Sequence, residues 1–375
     1  MADTKQTAGR PALSPIQIGI YAMLIFLPLT LVGEASHWQP ELIFLFSALA
    51  IVPLAKLIGE ATEELAVHTG PRIGGLLNAT LGNAAELIIT IFALNEGLND
   101  LVRASIVGSI IGNVLVVLGL SIFLGGLKNG RQSFNRRTAG MNGILLILAV
   151  AALVVPSLFD VALQEFPTAE LQLSEGIAII MIILYGLSVI YSFQQGDDTS
   201  HSDADEHHEP RWTVGFSIGV LAVSTIGIVL MSEALVGAVE VVTESLGLSE
   251  IFLGIIIIPI VGNIAEHLVA VQVAYKNKME LSLAISLGSS LQVALFVAPV
   301  LVFISLLINP DNPLLLVFTS FELVALLVGA FLAAFVAEDG ESNWLEGALL
   351  LGVYLMIALA FFELPAEIVA AAHGM

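Results

Sequence analysis

Apolar positions fill long unbroken blocks of this chain, and polar ones gather between them. Blocks long enough to cross a hydrocarbon core of ~30 Å, which takes about 20 helical residues, lie at 16–33, 41–62, 72–95, 101–127, 138–159, 173–194, 213–243, 251–275, 281–308, 314–337 and 344–363. They predict an all-α integral membrane protein of eleven transmembrane helices. The first block is followed by Glu34 and His37 with no small-residue cleavage pattern, so it reads as a retained span and not as a signal peptide.

Composition agrees with the pattern. Of 375 residues, 57% are hydrophobic and only 12% charged, where a soluble domain carries roughly 25% charged residues. Lys and Arg accumulate in cytoplasmic loops. An inside N-terminus puts Lys5, Arg10, Lys56, Arg72, Lys128, Arg131, Arg136, Arg137, Arg211, Lys276 and Lys278 inside and only Arg103 outside. An odd number of spans then places the C-terminus on the opposite side.

One segment departs from the apolar pattern. Between Gln194 and Arg211 lie Asp197, Asp198, Asp203, Asp205, Glu206 and Glu209 with His201, His207 and His208. It reads as a cytoplasmic connector, either a solvated acidic linker or a weak calcium- or pH-sensing regulatory surface.

The chain repeats itself. With a shift of 180 and no gaps, residues 82–117 match 262–297 at ten of 36 positions, among them Gly82/Gly262, Asn83/Asn263, Ala85/Ala265, Glu86/Glu266, Gly108/Gly288 and Ser109/Ser289. Shared apolar composition supplies leucines and valines, but not a Gly-Asn-x-Ala-Glu string at one depth in two spans. Spans 2–6 therefore match spans 7–11. Five crossings per copy force the second copy to enter the membrane from the other side, giving two inverted-topology five-helix repeats plus one extra N-terminal helix. The expected organisation is a tail and peripheral transmembrane helix over 1–40, a first repeat over 41–194, the acidic connector over 195–212 and a second repeat over 213–375. Helix breakers fit this plan, with Gly74, Gly75 and Gly82 in span 3 and Gly254, Pro259 and Gly262 in span 8.

Glu86 and Glu266 carry the chemistry. An ionised carboxylate near the middle of a span costs at least ~2.5–3.5 kcal/mol, and two copies in related places argue for use. Asn83 and Asn263 precede them by three residues, which on a continuous helix puts each on its glutamate's face. The next spans add Ser109 and Asn113, then Ser289, Ser290 and Gln292. All are hard oxygen donors. Two carboxylates with neutral oxygens suit calcium, which takes six to eight oxygens, and balance its charge; manganese fits nearly as well. Absence of cysteine removes disulfides, thiolate metal sites and cysteine nucleophiles. A formal charge of −21 disfavours nucleic acid and anionic phosphates and favours cations. His267 points about 100° away from Glu266 on a helix and suits a pH-tuning role or an interhelical hydrogen bond. Glu60, Glu63 and Glu64 read as vestibule charges, and Glu322 as a route or structural residue.

Gly82-Asn83-Ala84-Ala85-Glu86 and Gly262-Asn263-Ile264-Ala265-Glu266-His267, with Gly108-Ser109 and Gly288-Ser289-Ser290-Leu291-Gln292, resemble the two α-repeats of the cation/calcium exchanger superfamily. His267, Gln292, the acidic connector and the string Asp339 to Gly347 resemble its calcium/proton antiporter branch. The resemblance implies secondary antiport of Ca²⁺ against H⁺, with both ions sharing Glu86 and Glu266. It implies no enzyme activity and no cofactor. Sodium-coupled relatives are expected to carry an acid where Gln292 stands, so the resemblance favours protons over a sodium-driven exchanger; a calcium channel is a remoter alternative. Surroundings are membrane lipid, expected to be a prokaryotic cytoplasmic membrane before a vacuolar one.

Overall fold

A computed structural model describes residues 15–163, 165–195 and 210–364. Ten helices among the described residues are long and apolar enough to cross a membrane. In chain order the helices are α1 (Pro15–Ala35), α2 (Pro40–Thr69), α3 (Pro71–Leu81), α4 (Ala84–Asn95), α5 (Asn99–Asn129), α6 (Arg136–Leu163) and α7 (Pro167–Gln195). There follow α8 (Val214–Gly237), α9 (Val239–Leu246), α10 (Glu250–Tyr275), α11 (Met279–Ile308), α12 (Ser320–Glu338) and α13 (Trp344–Phe362). The ten long ones are all of these except α3, α4 and α9. Two-residue strands β1 (Gln132–Ser133) and β2 (Glu341–Ser342) pair antiparallel and tie the loop after α5 to the start of α13.

Three expected spans take a different form. The block 72–95 is two helices, because the chain leaves regular helix at Gly82 and Asn83, where Asn83 sits at φ −97°, ψ 20°. The block 213–243 divides at Ala238 into α8 and the short α9. The block 314–337 is irregular as far as Thr319 and helical only from Ser320. Helix then starts on a capping box: the Thr319 hydroxyl accepts from the Glu322 backbone N–H while the Glu322 carboxylate accepts from the Thr319 N–H at 2.8 Å. Glu322, fully buried, is therefore a structural cap.

In contrast, α10 runs unbroken through Pro259 and Gly262. Its breaker is absorbed upstream: Leu253–Ile257 form a π-turn, and Pro259 follows within the first turn of regular helix, where a missing N–H costs little. Matching π-turns occupy Gly112–Val117 in α5 and Val293–Val297 in α11, in register under the shift of 180.

Packing follows the sequence repeat. Helices α2 and α8, counterparts in the two halves, lie along each other, as do α6 and α12. Helix α10 crosses both α2 and α5, and α8 crosses α4. Buried aliphatic side chains from α2, α4, α5, α10 and α11 form one continuous core around the glutamate strings. Outward faces of α6 and α7 expose Ile144, Leu148, Leu158, Ile180, Ile183 and Leu187, as lipid-facing surface requires.

Candidate ion site

Both glutamate strings converge. The break after α3 makes Glu86 a first-turn residue of α4, where free backbone N–H groups favour negative charge. Glu86 is 3% exposed. Its Oε1 accepts hydrogen bonds from the Ser109 hydroxyl of α5 and from the Asn263 amide of α10. Its Oε2 is buried with no protein partner. Glu266 lies mid-helix on α10, takes a hydrogen bond from Ser289 and interacts electrostatically with Glu63; its Oε2 also lacks a protein partner. The two carboxylates lie within electrostatic reach of each other.

Each glutamate rests on the other half's glycine. A Cβ on Gly262 would lie 2.8 Å from the Glu86 Cγ, and one on Gly82 would lie 3.2 Å from a Glu266 oxygen. Only a hydrogen fits at either seat.

The asparagines act across halves and do not pair with the glutamate of their own string. Asn263 donates to Glu86, and Asn83 donates to the Gln292 carbonyl oxygen at 2.8 Å. The expected shared face of Asn83 and Glu86 is lost because Asn83, at the break, caps the start of α4 in a non-helical conformation. Asn113 donates to the Ser289 hydroxyl at 3.0 Å. Ser290 bonds instead to backbone carbonyls of Ser286 and Ile110, which makes it a packing residue. His267 sits off this cluster with its Nε2 buried and unpartnered. The acidic candidates Asp197, Asp198, Asp203, Asp205, Glu206 and Glu209 lie outside the described residues.

A cavity of about 530 Å³ leads to the site, lined by Glu266, Ser289 and Gln292 at one end and by Lys56, Glu60, Glu64 and Arg211 elsewhere. Three of the expected vestibule glutamates belong to it, although not all are free to meet an ion. Lys56 pairs with Glu60 at 2.8 Å, and the Tyr21 hydroxyl of α1 donates to Glu60 at 2.6 Å. Glu64 accepts from the backbone N–H groups of Arg211 and Trp212. Sequence reasoning missed Tyr21 and Lys56; the Lys56/Glu60 spacing of four was the readable signal. Among the described residues no three His, Cys, Asp or Glu side chains gather to hold a metal. A divalent ion here would depend on Glu86 and Glu266 with amide, hydroxyl and backbone oxygens.

An all-helical bundle in which a buried carboxylate, Glu86, lies near a second, Glu266, that lines a polar cavity has the architecture of a membrane ion carrier. Residues 41–194 and 216–363 match the sodium/calcium exchanger protein family, and the chain belongs to it. It is 44% identical to the Ca²⁺/H⁺ antiporter of Aphanothece halophytica over 361 residues, spanning 92% of this chain and 96% of that one. To the Ca²⁺/H⁺ antiporter ChaA of Bacillus subtilis it is 45% identical over 342 residues, 90% and 96% of the two chains. The solved structure of native YfkE superposes with a TM-score of 0.81 at 42% identity, covering 92% of this chain and all of the other. The crystal structure of the H⁺/Ca²⁺ exchanger CAX shares the fold at a TM-score of 0.68 and 16% identity, covering 96% and 95%.

Proposed function

We propose that this protein exchanges Ca²⁺ for H⁺ across a membrane by alternating access, with Glu86 and Glu266 holding either the calcium ion or protons. The observation that carries the reading is the approach of these two carboxylates, one from each half, among oxygen donors, with Glu266 lining the cavity and Glu86 buried beside it. Each carboxylate keeps one buried oxygen without a protein partner, an arrangement that a bound cation or a proton would complete. Relatives at 44–45% identity over at least nine-tenths of the chain bear the name Ca²⁺/H⁺ antiporter, which supports the same activity here.

In the mechanism, Ca²⁺ binds between the ionised pair, whose charge of −2 it balances, with Ser109 and Ser289 as neutral oxygens beside them. Protonation removes both charges and the free ligand oxygens, so the ion leaves. One site serving both ions gives obligatory coupling with no separate proton path. Gln292, held by Asn83, has no titrating group to offer sodium.

The architecture proposed with this mechanism is eleven crossings, α3 and α4 together making one of them, arranged as α1 plus two five-helix repeats of opposite topology. The positive-inside arrangement supports a cytoplasmic N-terminus and a cavity open to the cytoplasm, since Lys56 and Arg211 line it. Bacterial relatives favour a cytoplasmic membrane.

Purified protein in liposomes, with Ca²⁺ flux driven in turn by imposed proton and sodium gradients, tests the assignment. Proton-driven uptake is expected. Uptake driven by sodium but not by protons would replace it with sodium-coupled exchange, and flux too fast for a carrier would replace it with a channel.

A further inference from the structure

Helices α5 and α10 meet backbone to backbone on the side of the site away from the cavity. A Cβ on Gly108 would overlap the main chain of Ile255. One on Gly254 would lie 2.5 Å from the Ala104 Cβ and 2.8 Å from the Leu101 carbonyl oxygen. Leu101, Ala104 and Ile255 are fully buried, and Ser105 beside them is 2% exposed. No water path passes between surfaces this close.

The shift of 180 carries Gly108 and Ala104 onto Gly288 and Ala284 of α11, and carries Ile255 and Gly254 back onto Gly75 and Gly74 of α3. Nothing lies within 4 Å of a Cβ on Gly288, and Gly288, Ala284 and Ile285 line the open cavity. Gly74 rests on Ala66 of α2 instead. The small residues Gly108, Ala104 and Gly254 and their sequence counterparts Gly288, Ala284 and Gly74 are thus in opposite states, the first set closed and the second open to the cavity.

We propose that these two sets are the gates of the transporter and close in alternation. Gly108 on Ile255 with Gly254 on Ala104 seals the far side in the conformation described. Gly74 on Ala284, with Gly288 closing on the helix that carries Gly74, seals the cavity side in the other one, when the far contact opens. Rigid helices with small residues at their crossing can dock or part as units, which gives the bistable element that switching needs. The assignment rests on the inverted-repeat reading above.

A test follows from the absence of cysteine in the chain. Reporter thiols are introduced by Ile285→Cys on the cavity side and by Ser105→Cys, its counterpart, on the far side. Their rates of reaction with a membrane-impermeant maleimide are measured in liposomes without Ca²⁺ or ion gradients. Gly288→Ala is harmless to the conformation described, where its methyl meets nothing, but obstructs closure of the cavity gate. It should slow Ser105→Cys labelling roughly tenfold, as one overpacked contact implies, and slow transport with it, while Ile285→Cys stays reactive. Gly254→Ala wedges the closed gate and should shift both labelling rates the other way. Unchanged labelling and flux in Gly288→Ala would overturn the proposal, even if Gly254→Ala failed to fold. The repeat reading is checked separately through Glu96→Cys and Lys276→Cys, exposed turn residues related by the same shift. Labelling from opposite sides upholds the inverted repeat; labelling from the same side removes it, and the gates with it.

Discussion

The two glutamate strings have nearly the same sequence and different settings. Around Glu86 the helix is broken, the carboxylate sits at a helix start, and two donors hold its Oε1. Around Glu266 the helix is continuous, and the carboxylate faces a cavity with Glu63 nearby. A repeat whose copies were locked in identical conformations would give a symmetric pore open to both sides or to neither. Under the proposed inverted repeat, different settings for matched residues would allow one side to be closed while the other is open.

The comparison breaks most sharply if one glutamate proves dispensable. Glu86→Gln and Glu266→Gln should each reduce proton-driven Ca²⁺ uptake in liposomes by at least about a hundredfold, because either change removes a ligand charge and a titrating group together. Normal uptake by one variant would turn the shared pair into a single-carboxylate site. Both variants conserve side-chain shape, so loss of transport in a folded protein reports charge.

Next in size is the response to pH. Each proton bound to the pair removes one charge and covers oxygens that calcium would use, so raising pH should tighten apparent Ca²⁺ affinity. The gain is at most about tenfold per pH unit for each proton displaced. By the same linkage, Ca²⁺ binding must release protons, fewer as pH rises above the range where both carboxylates titrate. Calorimetry in buffers of different ionisation enthalpy counts them. Affinity that changes with pH while no protons are released would place coupling outside the glutamates.

The glycine seats sharpen the comparison further. Gly262→Ala pushes a methyl against the Glu86 Cγ, and Ser109 and Asn263 leave that side chain no room to yield. Apparent Ca²⁺ affinity should fall roughly tenfold. Gly82→Ala meets the Asn78 backbone oxygen at 2.6 Å, which costs stability, but presses on Glu266 at a looser 3.2 Å from a side chain that lines the cavity, so in folded protein its effect on that carboxylate should be smaller. Equal losses of affinity in equilibrium Ca²⁺ titrations of the two variants would mean that the difference in setting has no energetic content.

How much of this was readable in advance depends on range. The apolar blocks, the repeat and the central glutamates are local patterns, and they picked out the long apolar helices and the two glutamate strings that the structure brings together. Gly82 and Gly262 carried the same breaker signal, yet only the first breaks a helix: the π-turn at Leu253–Ile257 takes up the distortion in α10 before Gly262 is reached. That turn lies against Leu101 and Ala104, residues about 150 positions away in the chain, which no local pattern names. The same holds for Asn263, whose partner is the glutamate of the other half. Spacing of three suggested its own glutamate, and no local rule could have named the right one.

The connector between the halves should matter least. Arg211 and Trp212, just after the described chain resumes at Pro210, are tied down through their backbone N–H groups to Glu64, and the Trp212 carbonyl meets His68. The second half therefore starts from a fixed point that does not depend on the residues before it. Replacing Asp197–Glu209 with a glycine-serine segment of equal length keeps the reach of the connector and removes its charge. Maximal proton-driven exchange should stay within about twofold of the parent, because that segment lies outside both repeats and charge runs are ordinarily solvated. If the segment senses calcium, the change will appear as a shift in the dependence on cytoplasmic Ca²⁺ at unchanged maximal rate. Abolished transport by a folded, membrane-inserted variant would instead make the connector part of the exchange mechanism, and the two halves could no longer be treated as the complete machine.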